Sequence, residues 1–172
     1  RVGDAAVIKI PELALDAVEA GVLYPDQAND PTAAVEEGRK LWPGSVDPRT
    51  GLLRQSIHAW LVRTPTRVIL VDTASGNDKD RPGMPTLNHL NEPFLDRLKA
   101  AAKDQGVAIE KILLTHGHID HCGSAKILAD ELGVKIEGPH IADKYLLDNV
   151  VSSGERFGMT GVRNFGPDRW LD

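Results

Sequence analysis

The sequence predicts a layered α/β fold built on a mixed or parallel sheet, and three observations carry that prediction. The stretch "SIHAWLVRTPTRVILVDT" (56–73) is rich in β-branched and apolar residues and breaks at Pro65, which reads as a hairpin. The stretch "VAIEKILLT", then "GSAKILADEL", then "VKIEG" (107–138) reads as strand, helix and strand in immediate succession, a right-handed crossover unit. With 172 residues, 41% of them hydrophobic, the chain is long enough to bury one real core, with room for a small subdomain.

Taken in order, "AAVIKI" (5–10) alternates as a strand does, and "PELALDAVEAGVL" (11–23) reads as a short helix or an irregular excursion. Residues 24–56 are rich in Pro, Gly and Asp and read as a long loop carrying one helix. Asp30 is its expected N-cap, Pro31 its first helical position, and Ala33 to Leu41 its body. Hairpin strands follow at 56–63 and 67–72. The second contains "VILV", apolar on both alternating faces, so burial on both sides is expected. After the loop "ASGNDKDRPGMP", a helix is expected from Pro93 to Gln105, because Phe94, Leu95, Leu98 and Ala101 or Ala102 recur at helical spacing, with Gly106 as its stop. Gly133 is expected to end the helix of the crossover unit.

Composition narrows the function. Twenty basic and 25 acidic residues are interspersed, giving a net charge of -5, and no basic stripe suits a phosphate backbone; nucleic acid is not an expected partner. No apolar run approaches the roughly 20 residues of a bilayer span, so no membrane association is expected. The single cysteine, Cys122, excludes an internal disulfide and agrees with a cytoplasmic setting.

Chemistry concentrates in "ILLTHGHIDHCGS" (112–124), which holds three of the six histidines. The cluster follows a strand and precedes a helix, the place where layered α/β proteins gather ligands. His116 and His118, two apart across Gly117, can aim both imidazoles one way in extended backbone, and Gly117 leaves space between them. Asp120 and His121 come one residue later and can serve a neighbouring point. Neutral imidazole and carboxylate suit zinc, iron or manganese, and the spacing suits two adjacent ions. A bound metal lowers the pKa of water from about 15.7 to about 7, and Asp120 would ligate or orient the resulting hydroxide. His58, His89 and His140 read as ordinary partly buried or surface histidines, His140 being the best substitute ligand among them. Cys122 reads as packing, and Trp42, Trp60 and Trp170 as core or rim residues.

The segment "THGHIDH" resembles the signature of the metallo-β-lactamase superfamily, an αββα sandwich of hydrolases and some oxidoreductases. That resemblance implies His116 and His118 on one metal, Asp120 and His121 on the other, and Asp72 at the end of "ILVDT" as a residue supporting the ligands. Residues 1 to about 100, with "SVDPRTGLL", "AWLVRT", "VILVDTASGN", "RPGMP" and "PFLDRL", resemble lactonase and organophosphate-hydrolase members. The remainder, with "KILLTHGHIDHCGSAKILADELGVKIEGPH", "SGERFG" and "PDRWL", is similar to glyoxalase II-like thioesterases. The family completes its shells with a further downstream histidine, a bridging aspartate and a last histidine; after His121 only His140 remains here.

The expectation is therefore the N-terminal half of the sandwich behind an N-terminal extension, with 1–55 as extension and loop and 56–172 as the incomplete domain. The expected function is a hydrolase using metal-bound hydroxide, with Asp120 assisting, on a small-molecule thioester, lactone or other ester. Zn2+, as one ion or two, is the expected cofactor, with Fe or Mn as substitutes. The alternatives are a non-catalytic module completed by a partner, such as a second copy in a homo-oligomer, and a mononuclear-iron sulfur oxygenase.

Overall fold

In the computed structural model, which describes residues 2–24, 26, 31–103, 108–156 and 158–172, the strands form one six-stranded sheet in sequence order. The strands are β1 (Ala6–Val18), β2 (Leu53–Arg63), β3 (Val68–Val71), β4 (Lys111–Leu113), β5 (Lys135–His140) and β6 (Arg169–Leu171). The helices are α1 (Ala20–Leu23), α2 (Pro31–Leu41), α3 (Phe94–Lys103), α4 (Ile119–Cys122), α5 (Ala125–Leu132), α6 (Lys144–Leu147) and α7 (Val150–Arg156). Asp30, Gln105 and Gly106, expected to cap or end helices, lie outside the described residues. No helix among the described residues is long and apolar enough to cross a membrane.

The chain forms two compact units, one of residues 1–12 and 58–172, the other of residues 13–57. In the smaller unit, Ala20, Val46 and Leu53 are buried together, with Val18 and Val35 packed against them. Its turn is set by Asp47, whose Oδ1 accepts from the Arg49 and Thr50 amides at 2.8 and 3.1 Å while Oδ2 takes Arg54 Nη2 at 2.9 Å. Those two amides, then the Arg54 guanidinium, hold the Asp47 carboxyl below its ordinary pKa.

The larger unit holds the predicted layers. Strands β2 and β3 pair antiparallel with Trp60 opposite Val71 and Val62 opposite Ile69, which is the expected hairpin. From β3 on, every pairing is parallel, and β4, α5 and β5 make the crossover. Helix α5 packs on β4 and β5. It ends at Gly133, whose φ of 67° is the left-handed conformation that glycine adopts without a Cβ penalty. Leu61, Val68, Leu70 and Ile112 on the sheet are fully buried, as are Leu98 of α3 and Leu147 of α6.

Two expectations are corrected. Residues 11–18 continue the first strand, and the helix is confined to the four residues of α1. The apolar side chains there fall at Leu13 and Leu15, a period of two, and a strand that neighbours only β2 tolerates the missing amide hydrogen of Pro11. Strand β3 is buried on one face only. Val68 and Leu70 are inaccessible, whereas Ile69 and Val71 are half-buried, on the face they share with Val62 and with Trp60, which is 38% exposed.

Candidate functional site

The site is built where β3 and β4 end side by side. Register pairs Val71 with Leu113, so the next residues, Asp72 and Leu114 to Thr115, leave the sheet together. The Asp72 amide donates to Leu113 O at 2.8 Å, and the chain then turns at Asp72 itself, whose φ is 60°. Aspartate tolerates that left-handed region better than most residues because its short polar side chain bonds locally. Its carboxylate binds Thr115 on both oxygens: Oδ1 accepts the Thr115 amide at 2.9 Å, and the Thr115 hydroxyl lies 3.0 and 2.9 Å from Oδ1 and Oδ2.

That hydroxyl fixes the state of the next ring. Thr115 Oγ1 also lies 3.0 Å from His116 Nδ1. A hydroxyl has one proton, and the Asp72 carboxylate can only accept; the Thr115 oxygen must therefore accept from His116 Nδ1–H. The neutral His116 ring then presents the lone pair of Nε2. Burial first, then the neighbouring His121 and His118, push the His116 pKa down, which favours that neutral ligand form.

His121 is fixed from the other side. Its Nδ1 lies 2.9 Å from Asp72 Oδ2 and its Nε2 3.4 Å from Asp120 Oδ2. The hydrogen bond to Asp120, then that to Asp72, raises its pKa to about 10, and the same contact holds the Asp120 carboxyl low. Two carboxylates flanking one imidazole make a place where positive charge is favoured. His118 begins α4 with extended backbone, and its carbonyl accepts the amides of His121 and Cys122, both at 2.9 Å. The three rings cluster: His116 and His118 meet edge to face with centroids 4.7 Å apart, and His116 and His121 lie 4.1 Å apart.

Neighbouring elements hold this turn. The Gly117 amide donates to Asp143 Oδ2 at 3.0 Å, and a Cβ on Gly117 would stand 2.7 Å from Leu146 Cβ. The glycine at this position therefore also admits α6. Helix α7 packs on α4. Cys122 is buried with its thiol on Gly117 O at 3.3 Å, and burial, then the charge of Asp120, pushes its pKa up to about 12. An un-ionised thiol pointed at a carbonyl is packing, as the sequence suggests.

The structure thus brings His116, His118, Asp120 and His121 to one turn and sets Asp72 beneath it. Among the described residues, no three His, Cys, Asp or Glu side chains are arranged to hold a metal ion. The donor set nonetheless has the chemistry of a zinc, iron or manganese site: three imidazoles, two of them oriented through Nδ1, and a carboxylate. The other histidines lie elsewhere. His140 is exposed, with its Nδ1 accepting the Ala142 amide at 3.1 Å; His58 meets Trp60 edge to face; His89 is exposed near Asp80. Trp42 is exposed and Trp170 half-buried, so the tryptophans are rim residues. Thr115 and Asp143 escaped the sequence reading. The threonine directly precedes the first histidine, a signal that could have found it, whereas Asp143 has no local signal.

The family model described as "Metallo-beta-lactamase superfamily" matches residues 53–172, and the chain belongs to that family. Over 77 residues it is 36% identical to a hydroxyacylglutathione hydrolase, GloC, of Haemophilus influenzae, covering 45% of this chain and 36% of that protein. A metal-dependent hydrolase of Myxococcus xanthus is 48% identical over 48 residues, covering 27% of this chain and 17% of its own length. The chain therefore spans about a third or less of these curated relatives. Two solved structures share the fold with a TM-score of 0.52. One is the hydrolase AbOPH of the β-lactamase superfamily, at 19% identity over 90% of this chain and 48% of that one. The other is AidC, a dizinc quorum-quenching lactonase, at 17% identity over 87% and 46%.

Proposed function

We propose that this chain carries the metal-binding turn of a metal-dependent hydrolase acting on a small thioester, with lactones and other esters as further substrates. The observation that supports it best is the Asp72 carboxylate, which holds His121 by Nδ1 and, through the Thr115 hydroxyl, holds His116 by Nδ1 as well. Both rings are thereby oriented through Nδ1, as carboxylate and hydroxyl partners orient metal-ligating histidines; Nε2 of His116 is left as a lone-pair donor, and Nε2 of His121 faces Asp120 at 3.4 Å. His116 and His118 would hold one cation, and Asp120 and His121 a second. Zinc is the ion the donor set favours, with iron or manganese as substitutes. When bound, such a cation supplies Lewis acidity toward an ester carbonyl and toward water. Asp120, beside His121, would ligate a cation or orient such a water. The thioester preference draws on the hydroxyacylglutathione hydrolase relative, whose matched span covers 45% of this chain.

The test is a cobalt and zinc titration followed by hydrolysis of an S-acyl glutathione. Two ions per chain and turnover that disappears in His116→Ala and His121→Ala are the expected results. Absence of metal binding at micromolar concentration would overturn the reading, and iron with oxygen consumption on a persulfide would replace it by sulfur oxygenation. A second reading, a module completed by a partner, is favoured by the absence of a three-donor cage among the described residues. It predicts that metal uptake rises with protein concentration as a second copy of the chain joins, which sedimentation with and without zinc would show.

A further inference from the structure

Beneath the histidine turn, the loop from Asp72 to Gly76 is held by side chains that normally seek water. Asp72, Ala74 and Gly76 all have positive φ, of 60, 57 and 85°. At Asp72 and Ala74 this conformation costs free energy, and it persists only where its surroundings over-determine it. Here they do. Glu12 of β1, 1% exposed, accepts the Ser75 amide at 2.9 Å on one carboxylate oxygen and the Gly76 amide at 2.5 Å on the other. Arg81, also 1% exposed, donates from Nη2 to the carbonyls of Ser75 and Gly76 at 2.5 and 3.0 Å, and from Nη1 to Leu87 O.

Lys79 completes the arrangement and also reaches across it. Its ammonium, 6% exposed as a residue, donates to Ser75 O at 2.6 Å, to Gly123 O at 3.2 Å and to Ser124 Oγ at 2.8 Å. All three protons are thus used, one on the loop that follows Asp72 and two on the segment that follows His121. Gly76 is the point of closest approach: a Cβ there would fall 2.0 Å from Ser124 Oγ and 2.7 Å from Lys79 Nζ. Between the same two segments run the Asp72 to His121 bond and two bonds from Thr73, whose amide and hydroxyl both donate to His121 O at 3.0 Å.

We infer that Lys79, anchored by the Glu12 and Arg81 contacts to the same loop, is a positioning residue that fixes the Asp72 carboxylate against His121. An ammonium is suited to this task because one buried atom serves three acceptors on two separate segments, and an apolar side chain of similar length, such as methionine, serves none. The charge itself is balanced nearby by Glu12, without which two buried cations would share the loop. The inference rests on the proposed metal reading only for its metal measurement; the orientation of His121 is a property of the protein alone.

The experiment uses the metal-free protein and Lys79→Met. Two readouts apply well below the unfolding temperature: solvent exchange of the His121 Nδ1 proton by NMR, and hydrogen exchange of the Thr73, Ser75 and Gly76 amides. The expected result is exchange at least about tenfold faster at both, with a matching loss of cobalt affinity of about 10- to 100-fold. Lys126→Met, which removes a half-buried lysine whose ammonium meets Asp130, should change neither. Should Lys79→Met fail to fold, Ser124→Ala removes one acceptor and is expected to move the same signals in the same direction. A lowered melting temperature with His121 and loop exchange unchanged would overturn the inference and leave Lys79 a merely structural residue. Cobalt binding absent from the wild type would defeat the proposed function instead, and the exchange data would still decide this one.

Discussion

Asp72 and His121, 49 residues apart in sequence, meet through one Oδ2 to Nδ1 hydrogen bond of 2.9 Å, and that bond joins the end of the hairpin to the histidine turn. Asp72 is 5% exposed and serves Thr115 as well, so its loss strands three partners. Asp72→Ala is expected to lower zinc or cobalt affinity by about 10- to 100-fold and stability by about 1–3 kcal/mol. Metal titration and urea unfolding measure the two effects separately, and an unchanged affinity would detach Asp72 from the site.

Gly117→Ala is expected to destabilise by about 1–3 kcal/mol through overpacking, since the new methyl would meet Leu146 at 2.7 Å. The double variant with Leu146→Gly, which removes that Cβ, should recover part of that loss. Denaturant midpoints of the four proteins in the cycle give the coupling, and strict additivity would refute the contact.

The buried Lys79 predicts a pH dependence. Burial first, then the charge of Arg81, pushes its pKa from 10.5 down to about 8. Between those values the unfolded chain binds more protons than the folded one, so this residue's contribution to stability rises with pH. The contribution is complete above 10.5 and is lost as the pH falls through 8. Its size is on the order of 3 kcal/mol. The difference between wild type and Lys79→Met in unfolding free energy, followed from pH 7 to 10.5, should show that slope; parallel curves would mean that Lys79 does not titrate in this window.

Cys122 should resist alkylation. With its thiol buried, bonded to Gly117 O and shifted up to about 12, almost none is thiolate at neutral pH. Iodoacetamide is expected to label it only as fast as the chain unfolds, so urea should accelerate labelling in step with denaturation. Rapid native labelling would place the thiol in the solvent.

What the sequence disclosed was local. Residues 116–121 carry their chemistry within six positions, and the crossover from β4 through α5 to β5 is written in periodicity with Gly133 as its stop, so both were legible. Strand β1 was half missed because "LALDAV" satisfies short helical and alternating patterns alike, and only pairing within the sheet decides between them. The burial of β3 was overestimated because an apolar run reports what a strand can bury, not what covers it. Thr115, Asp143, Glu12, Lys79 and Arg81 gave little or no warning. Each acts on backbone or side chains that the fold brings close, and on sequence alone buried charges look like ordinary surface residues.

The left-handed turn at Asp72 has a consequence for how freely this region can vary. One side chain both permits the backbone reversal and grips His121 directly and His116 by way of Thr115, so the two tasks cannot be mutated independently. Glycine would keep the bend and drop the grip; glutamate would offer a carboxylate from a backbone it fits poorly. A saturation library at this codon should therefore return very few survivors, with asparagine, which suits the bend but trades an anionic acceptor for an amide, the informative near miss.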